Sequence, residues 1–360
     1  MTGKERISRI LKHQPVDRVG LYEHFWNDTY AEYAAKGKIK DGESYDDHFG
    51  FDMSLLWPFH MAIDLEFKDE IVSETEETVL IKDGNGAYLR RHKIHDSTPE
   101  HVDYTIKTRE DWDKVKHMLL NPDERRINFE SYRNAKAAAD KAGRFFCYAG
   151  VNVFECMHYV VGHENLLMGM ALDPEWVIDM AETYANLIVG LIKKLFEKEG
   201  RPDGIFLYED MGFKERPFMS PDMYRDILLP SHKYICDFAH SIDLPVFIHC
   251  CGFVEPLLPY MVESGMDCLQ AIEVKAGMDL LRIHEMYGDK IALMGGIDVR
   301  ALYSNDRAII DAELEKKIPT VMQGYGYIAH SDHSIPKTVE YETYRYFIDK
   351  ALQLGTYNKG

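Results

Sequence analysis

Leu244-Pro245-Val246-Phe247-Ile248-His249-Cys250-Cys251-Gly252 is a short apolar run that stops on residue types able to bind metal or move protons. The stretch from Leu244 to Cys250 reads as a buried strand. Side chains alternate along a strand, so His249 and Cys251 share one face and Cys250 takes the other. Seven more runs of this kind recur: Val19 to Trp26, Met53 to Trp57, Arg144 to Val151, Gly204 to Glu209, Met266 to Ile272, Lys290 to Ile297 and Gly324 to His330. Longer stretches of helical period separate them, an order that predicts a parallel sheet with helices packed outside it. Eight strands are what a closed barrel needs, so the expected fold is an α/β (β/α)8 TIM barrel forming one domain over residues 1–360.

The helices between the strands carry start and stop signals. Asp173 precedes Pro174, an N-cap followed by proline at the first helical position. Trp176, Met180, Tyr184, Leu187, Leu191 and Leu195 then recur at helical spacing until Gly200. Ser220-Pro221 repeats the start signal ahead of Met223 to Phe238, and Asp306 opens a helix that runs to Lys317. Between Thr78 and Ile94 the period changes. Val79-Leu80-Ile81, Asp83-Gly84-Asn85-Gly86 and Tyr88-Leu89 read as a β-hairpin inserted on the barrel, which also carries an N-terminal extension.

Composition narrows the function. The 360 residues hold 42 Lys+Arg against 60 Asp+Glu, a formal charge of −18, so the surface repels phosphates and nucleic acid is not an expected partner. Met1 to His13 is charged and amphipathic, unlike a signal peptide. Apolar runs such as Leu187 to Leu195 are broken by Lys193 and Lys194, so no membrane span is expected. The six cysteines have no framework spacing and read as reduced thiols of a cytoplasmic protein.

A parallel barrel places its active site where strands end. Four ends stand out: His249-Cys250-Cys251-Gly252, Glu209-Asp210, Gly295-Gly296-Ile297-Asp298, and His330-Ser331-Asp332-His333. A thiolate beside an imidazole suits a transition metal, zinc above all, and a third ligand from His333 or His330 would leave an open position. Blander roles remain for every one of these residues. A His-x-Cys at a strand end also serves packing, Glu209-Asp210 also caps loops, and His330 to His333 also forms a solvated turn. Trp57 and His60 line either a pocket or the core, and Cys250 reads as a small buried residue. Gly324-Tyr325-Gly326 lacks the later glycine of a dinucleotide fingerprint.

The chain resembles the uroporphyrinogen decarboxylase superfamily. The resemblance is carried by Lys4-Glu5-Arg6 through Asp17-Arg18-Val19, by Gly162 through Asp173-Pro174-Glu175, by Glu209-Asp210-Met211 with Met219-Ser220-Pro221, and by His249-Cys250-Cys251-Gly252 and Gly295-Gly296-Ile297-Asp298. The tetrapyrrole decarboxylases of that superfamily carry N-terminal arginines. Leu21-Tyr22-Glu23-His24-Phe25-Trp26-Asn27-Asp28 has none, so the likeness is to the zinc-dependent, corrinoid-linked methyltransferase branch. That branch has a His-x-Cys pair and a later cysteine before Gly-Ile-Pro; here His333 stands before Ser334-Ile335-Pro336.

The resemblance implies zinc on His249, Cys251 and His333, with Glu209, Asp210 and His330 as catalytic or supporting groups. Trp57, His60, Asn152 and Asp298 would shape the substrate site. The expected reaction moves a methyl group from a small methylated donor to the corrinoid (cobalamin) of a partner protein. The alternatives are methyl transfer from methylcobalamin to a thiol and tetrapyrrole decarboxylation. Assembly as a homodimer is a further implication of the resemblance.

Overall fold

The structure is a computed structural model and describes residues 1–40, 42–94 and 98–357. Helix α1 (Gly3–Ile10) leads into eight parallel strands. These are β1 (Gly20–Leu21), β2 (Met53–Leu56), β3 (Phe145–Val151), β4 (Gly204–Tyr208), β5 (Val246–Cys250), β6 (Cys268–Ala271), β7 (Ala292–Gly295) and β8 (Tyr327–Ala329). Each pairs with its neighbour in chain order from β2 to β8, and β8 returns to β1. The remaining seam is joined where Asp52 N donates to Leu21 O at 2.8 Å and Leu21 N donates to the Asp52 carboxylate at 2.9 Å. The (β/α)8 barrel expected from the sequence is therefore nearly closed.

Register does the positioning. His249 on β5 stands opposite Tyr208 on β4 and opposite Gln270 on β6. One pleat below, Phe206 and Phe247 stack with ring centroids 5.6 Å apart, and Phe145 meets Phe247 at 6.1 Å. The barrel interior is thus an aromatic layer roofed by a polar one, as residues two apart along a strand require. Cys250 faces the other way, where its Sγ accepts Met211 N at 3.2 Å.

The strand expected over Val19 to Trp26 is regular only at Gly20–Leu21. Its remainder bends across the barrel mouth and carries Glu23 and His24 inward. The inserted hairpin is present as Thr78–Lys82 paired with Ala87–His92, but it is the centre of a four-stranded antiparallel sheet flanked by Glu70–Glu74 and Glu100–Tyr104. The flanking strands are rich in charge, which hid them from a hydrophobic pattern. This sheet packs on helix α2 (Val153–Leu172), where the Tyr104 ring fills the space that a side chain on Gly162 would need.

Helix α3 (Pro174–Glu199) begins where expected, with Asp173 bonding Trp176 N and pairing with Arg109. The helix expected from Met223 to Phe238 is interrupted. Tyr224–Leu228 forms a wide π-type turn before helix α4 (Leu229–Ser241), because Pro230 has no N–H to continue the preceding ladder. Asp306 caps a helix over Arg307–Val321 as the sequence implies. Among the described residues, no helix is long and apolar enough to cross a membrane.

Candidate metal centre and its cavity

Three donors of different elements meet at the C-terminal ends of β4 and β5. The atoms offered by Asp210, His249 and Cys251 all lie within 4.8 Å of one another. Cys251 Sγ is 3.2 Å from His249 Nε2, and His249 Nε2 is 3.4 Å from Asp210 Oδ1. A tetrahedral zinc with its usual bond lengths separates such ligands by about 3.3–3.6 Å; the His249–Asp210 separation lies in that range, the Cys251–His249 one is slightly shorter, and the donor chemistry is one that zinc accepts. Backbone geometry fixes the group: Cys251 N donates to Asp210 Oδ1 at 2.7 Å, and Asp210 N donates to Glu155 Oε1 at 3.1 Å.

Electrostatics favour an ion pair between His249 and Asp210. Burial opposes a charge on His249, but the Asp210 carboxylate and the bond to Gln270 overcome it and raise the imidazole above its ordinary value. Burial likewise opposes the Asp210 anion, yet the facing His249 holds that carboxyl below its usual range. Burial, aided by Asp210 and Glu273, pushes the Cys251 thiol well up, so a cation is what would make it a thiolate.

The proton positions around His249 follow from its neighbours. His330 Nδ1 faces two acceptors, Ser331 O and Glu23 Oε1 (3.1 Å), so that nitrogen carries the proton. His330 Nε2 therefore accepts, from His24 Nδ1 at 2.8 Å and from the Gln270 amide at 3.5 Å. With its NH2 turned to His330, Gln270 presents Oε1 to His249 Nδ1 and takes its proton. Displacement of the Nε2 proton by a cation would then leave the His249 Nε2 lone pair facing Cys251 and Asp210, the tautomer a metal ligand needs. On the far side, His24 Nε2 accepts the Tyr208 hydroxyl at 2.7 Å, and the Tyr208 ring lies against His249 with centroids 4.7 Å apart. Burial lowers His330 to about 3 and lifts Glu23 to about 8, so both are neutral at pH 7.

The other sequence candidates fall in different places. His333 is half-buried against Trp26, ring centroids 6.0 Å apart, and its Nδ1 lies 3.4 Å from Ser334 O; it is not a member of the three-donor group. Glu209 is fully buried and occupied, accepting Phe154 N at 2.9 Å, Glu155 N at 3.1 Å and His232 Nε2 at 2.5 Å. It holds the start of α2. Trp57 covers Tyr208 at 4.4 Å and, with His60, lines a cavity of about 350 Å3 that Tyr148 and Tyr159 also bound. Asn152 is buried beside Tyr208, its N–H on Tyr208 O at 2.9 Å and its Oδ1 without a partner. Asp298 caps the helix Val299–Tyr303 and pairs with Arg300 at 2.6 Å.

Tyr208, Gln270, Glu23 and His24 were not singled out from the sequence. A polar residue inside the apolar run Cys268-Leu269-Gln270-Ala271-Ile272 was the available signal for Gln270. A second cavity, about 550 Å3, opens beside Asp210 and Cys251 and runs to His101, His158, His163 and Phe218.

A barrel whose strand ends bring a thiol, an imidazole and a carboxylate together defines a (β/α)8 protein with a candidate metal centre in its mouth. Residues 93–353, more than half the chain, match the family described as Uroporphyrinogen decarboxylase (URO-D), and the protein belongs to that family. Over 334 residues, 90% of both chains, it is 24% identical to the Methylcobamide:CoM methyltransferase MtbA of Methanosarcina acetivorans. A match of 25% identity to the Methylated-thiol--coenzyme M methyltransferase of Methanosarcina mazei spans 152 residues, 42% of this chain and 38% of that protein. Among solved structures, a methyltransferase from Methanosarcina mazei shares the fold with a TM-score of 0.67, at 16% identity over 98% of each chain.

Proposed function

We propose that this protein is a zinc-dependent methyltransferase that moves a methyl group from a small methylated donor to the corrinoid of a partner protein, in the cytoplasm. The observation that carries this reading is the convergence of Asp210, His249 and Cys251 on one point beside a cavity. The names of its relatives, all methyltransferases, support the same class.

His249 and Cys251 would hold the ion, with Asp210 as third donor; His333 is the alternative third donor that the sequence motif suggests. Zinc bound there supplies Lewis acidity toward the heteroatom of the methyl donor. The choice of third donor sets the charge. One thiolate, one carboxylate and one neutral imidazole cancel the +2 of zinc, whereas His333 in place of Asp210 leaves +1 and a stronger Lewis acid. Gln270 fixes the His249 tautomer, and the neutral His24–His330 pair keeps further positive charge away from it. In the transfer, the bond from methyl carbon to heteroatom breaks and its electron pair stays on the heteroatom, which takes a proton. The corrinoid, as the methyl-accepting substrate, supplies from cobalt(I) the pair for the new bond and ends as methylcobalt(III).

A second reading reverses the traffic, from a methylated corrinoid to a thiol, and the names of the MtbA relatives favour it. Incubating the protein with cob(I)alamin and a panel of methoxylated and methylamine compounds separates the two. Conversion of the spectrum to methylcobalamin supports the first reading. No conversion with any donor, together with loss of methylcobalamin on adding a thiol, would replace it by the second.

A further inference from the structure

Among the described residues six acidic side chains are buried: Glu23, Asp52, Glu155, Glu209, Glu273 and Asp332. Asp52 pairs with Arg6 and Arg18 at the start of β2. The other five stand in the segments that follow β1, β3, β4, β6 and β8, and each accepts peptide N–H groups there. A buried carboxyl is costly unless it is hydrogen-bonded, so each of these bonds fixes the segment that supplies the N–H.

Asp332 joins three such segments. Its own N–H donates to Ile297 O, its Oδ1 accepts Val299 N and its Oδ2 accepts Val274 N, each at 2.8 Å. The residue is 1% exposed, so solvent replaces neither bond if it is lost. Val274 follows Glu273, whose Oε2 accepts Gly252 N at 2.7 Å, and Gly252 follows Cys251. The backbone that carries the thiol is therefore gripped on both sides, by Asp210 on Cys251 N at 2.7 Å and by Glu273 on the next N–H. Two clasps in series, Asp332 on Val274 and Glu273 on Gly252, run from the β8 loop to the thiol. The other arm of Asp332 ends on the helix Val299–Tyr303, which carries none of the three donors.

We propose that Asp332 is a positioning residue for the metal centre, acting through Val274 and Glu273 to hold Cys251 Sγ in register with His249 and Asp210. The inference rests on the metal-binding reading given above and adds to it a residue outside the donor group. Cys251 Sγ stands only 3.2 Å from His249 Nε2, so a small shift of its backbone changes the fit of an ion between them. A role in stability alone would make the two arms of Asp332 equivalent. Positioning makes them differ, because one arm leads to the thiol and the other does not.

Proline separates the arms, since it deletes one N–H and leaves Asp332 in place. Val274 opens a 3₁₀ turn and Val299 opens a helix, positions that accept proline. The residues before them, Glu273 (φ −67°, ψ 103°) and Asp298 (φ −60°, ψ 109°), are already extended, as a residue before proline must be. In the full-length protein Val274→Pro should lower zinc affinity about tenfold, measured by competition with a chromophoric chelator. It should also weaken the thiolate-to-metal charge-transfer absorption of the cobalt(II)-substituted site. Val299→Pro removes an equivalent bond from a more deeply buried residue and should leave both readings native. Equal zinc affinities in the two proline variants, whether both native or both weakened, overturn the proposal.

Asp332→Ala cuts both arms without a proline and should weaken zinc binding about tenfold or more. Native affinity in that variant overturns the proposal as well, and the measurement stands even where Val274→Pro fails to fold. The metal reading has its own check in the native protein, about one zinc per chain that is lost in His249→Ala. Zinc present with indistinguishable proline variants sinks only the role of Asp332. Zinc absent from the native protein sinks the metal centre and the positioning role together.

Discussion

His24 and His330 meet ring to ring in the barrel mouth, Nδ1 to Nε2 at 2.8 Å across 306 residues of sequence. The contact fixes more than their own protons. Because His330 must accept at Nε2, the Gln270 amide turns its NH2 that way and its oxygen toward His249, and the lone pair of His249 Nε2 is committed to the metal centre. Gln270→Leu should therefore weaken zinc binding about 10- to 100-fold while leaving Cys251 and Asp210 in place, the range found when the partner of a ligating histidine is lost. Competition against a chromophoric chelator measures it; an unchanged affinity would mean that His249 is not oriented by this amide.

The third donor is open to a direct contest. If Asp210 completes the site, Asp210→Ala should strip zinc from the purified protein as His249→Ala and Cys251→Ala do, and His333→Ala should retain about one ion per chain. The opposite outcome for the Asp210 and His333 variants would mean that the 332–336 loop closes onto the ion. Elemental analysis of the four proteins decides between them.

Glu23 gives stability a slope with pH. Its folded-state value is raised to about 8 from 4.5, so its contribution is fully present below 4.5 and lost as pH rises toward 8. His330, lowered to about 3 from 6.5, contributes the opposite slope between those limits, and the two oppose each other from 4.5 to 6.5. Between pH 6.5 and 8 the Glu23 contribution should fall by up to about 2 kcal/mol at about 1.4 kcal/mol per unit, in the same direction as that of His249, which is also raised. Urea denaturation should show a falling stability over this range in the native protein and a shallower slope in Glu23→Gln.

Glu209 is tied into the fold by its hydrogen bonds. Its carboxylate takes two backbone N–H groups of the first turn of α2 and the ring of His232. Glu209→Ala leaves these donors buried and unpaired, a loss of about 3 kcal/mol or more. Thermal unfolding should register the loss, and the protein that remains folded should keep its zinc.

Gly252 admits no side chain. It has a φ of +78°, and a Cβ there would fall 2.2 Å from the carbonyl carbon of Gly212. Gly252→Ala must part the loop that follows Cys251 from the one that follows Asp210, so zinc affinity should fall at least tenfold although no ligand is touched. An alanine variant with native zinc affinity would show that the two loops need not be in contact.

Much of the fold was legible in local pattern. Short apolar runs separated by stretches of helical period are enough to specify eight strands with helices outside, and Asp173, Ser220 and Asp306 mark helix starts that the structure retains. Pro230 and the charged strands Glu70–Glu74 and Glu100–Tyr104 were missed, the first because it interrupts an otherwise good helical pattern and the others because their apolar faces are weak.

At the site the division is sharper. Strand alternation alone put His249 and Cys251 on one face, since that depends on nothing beyond two adjacent peptide units. Which other residues join them depends on parallel register and on the path of loops. Register set Tyr208 and Gln270 level with His249. Loop path brought Asp210 to the thiol and turned His333 toward Trp26. Those are distances between segments far apart in the chain, fixed by packing a whole barrel, and no spacing within a motif encodes them.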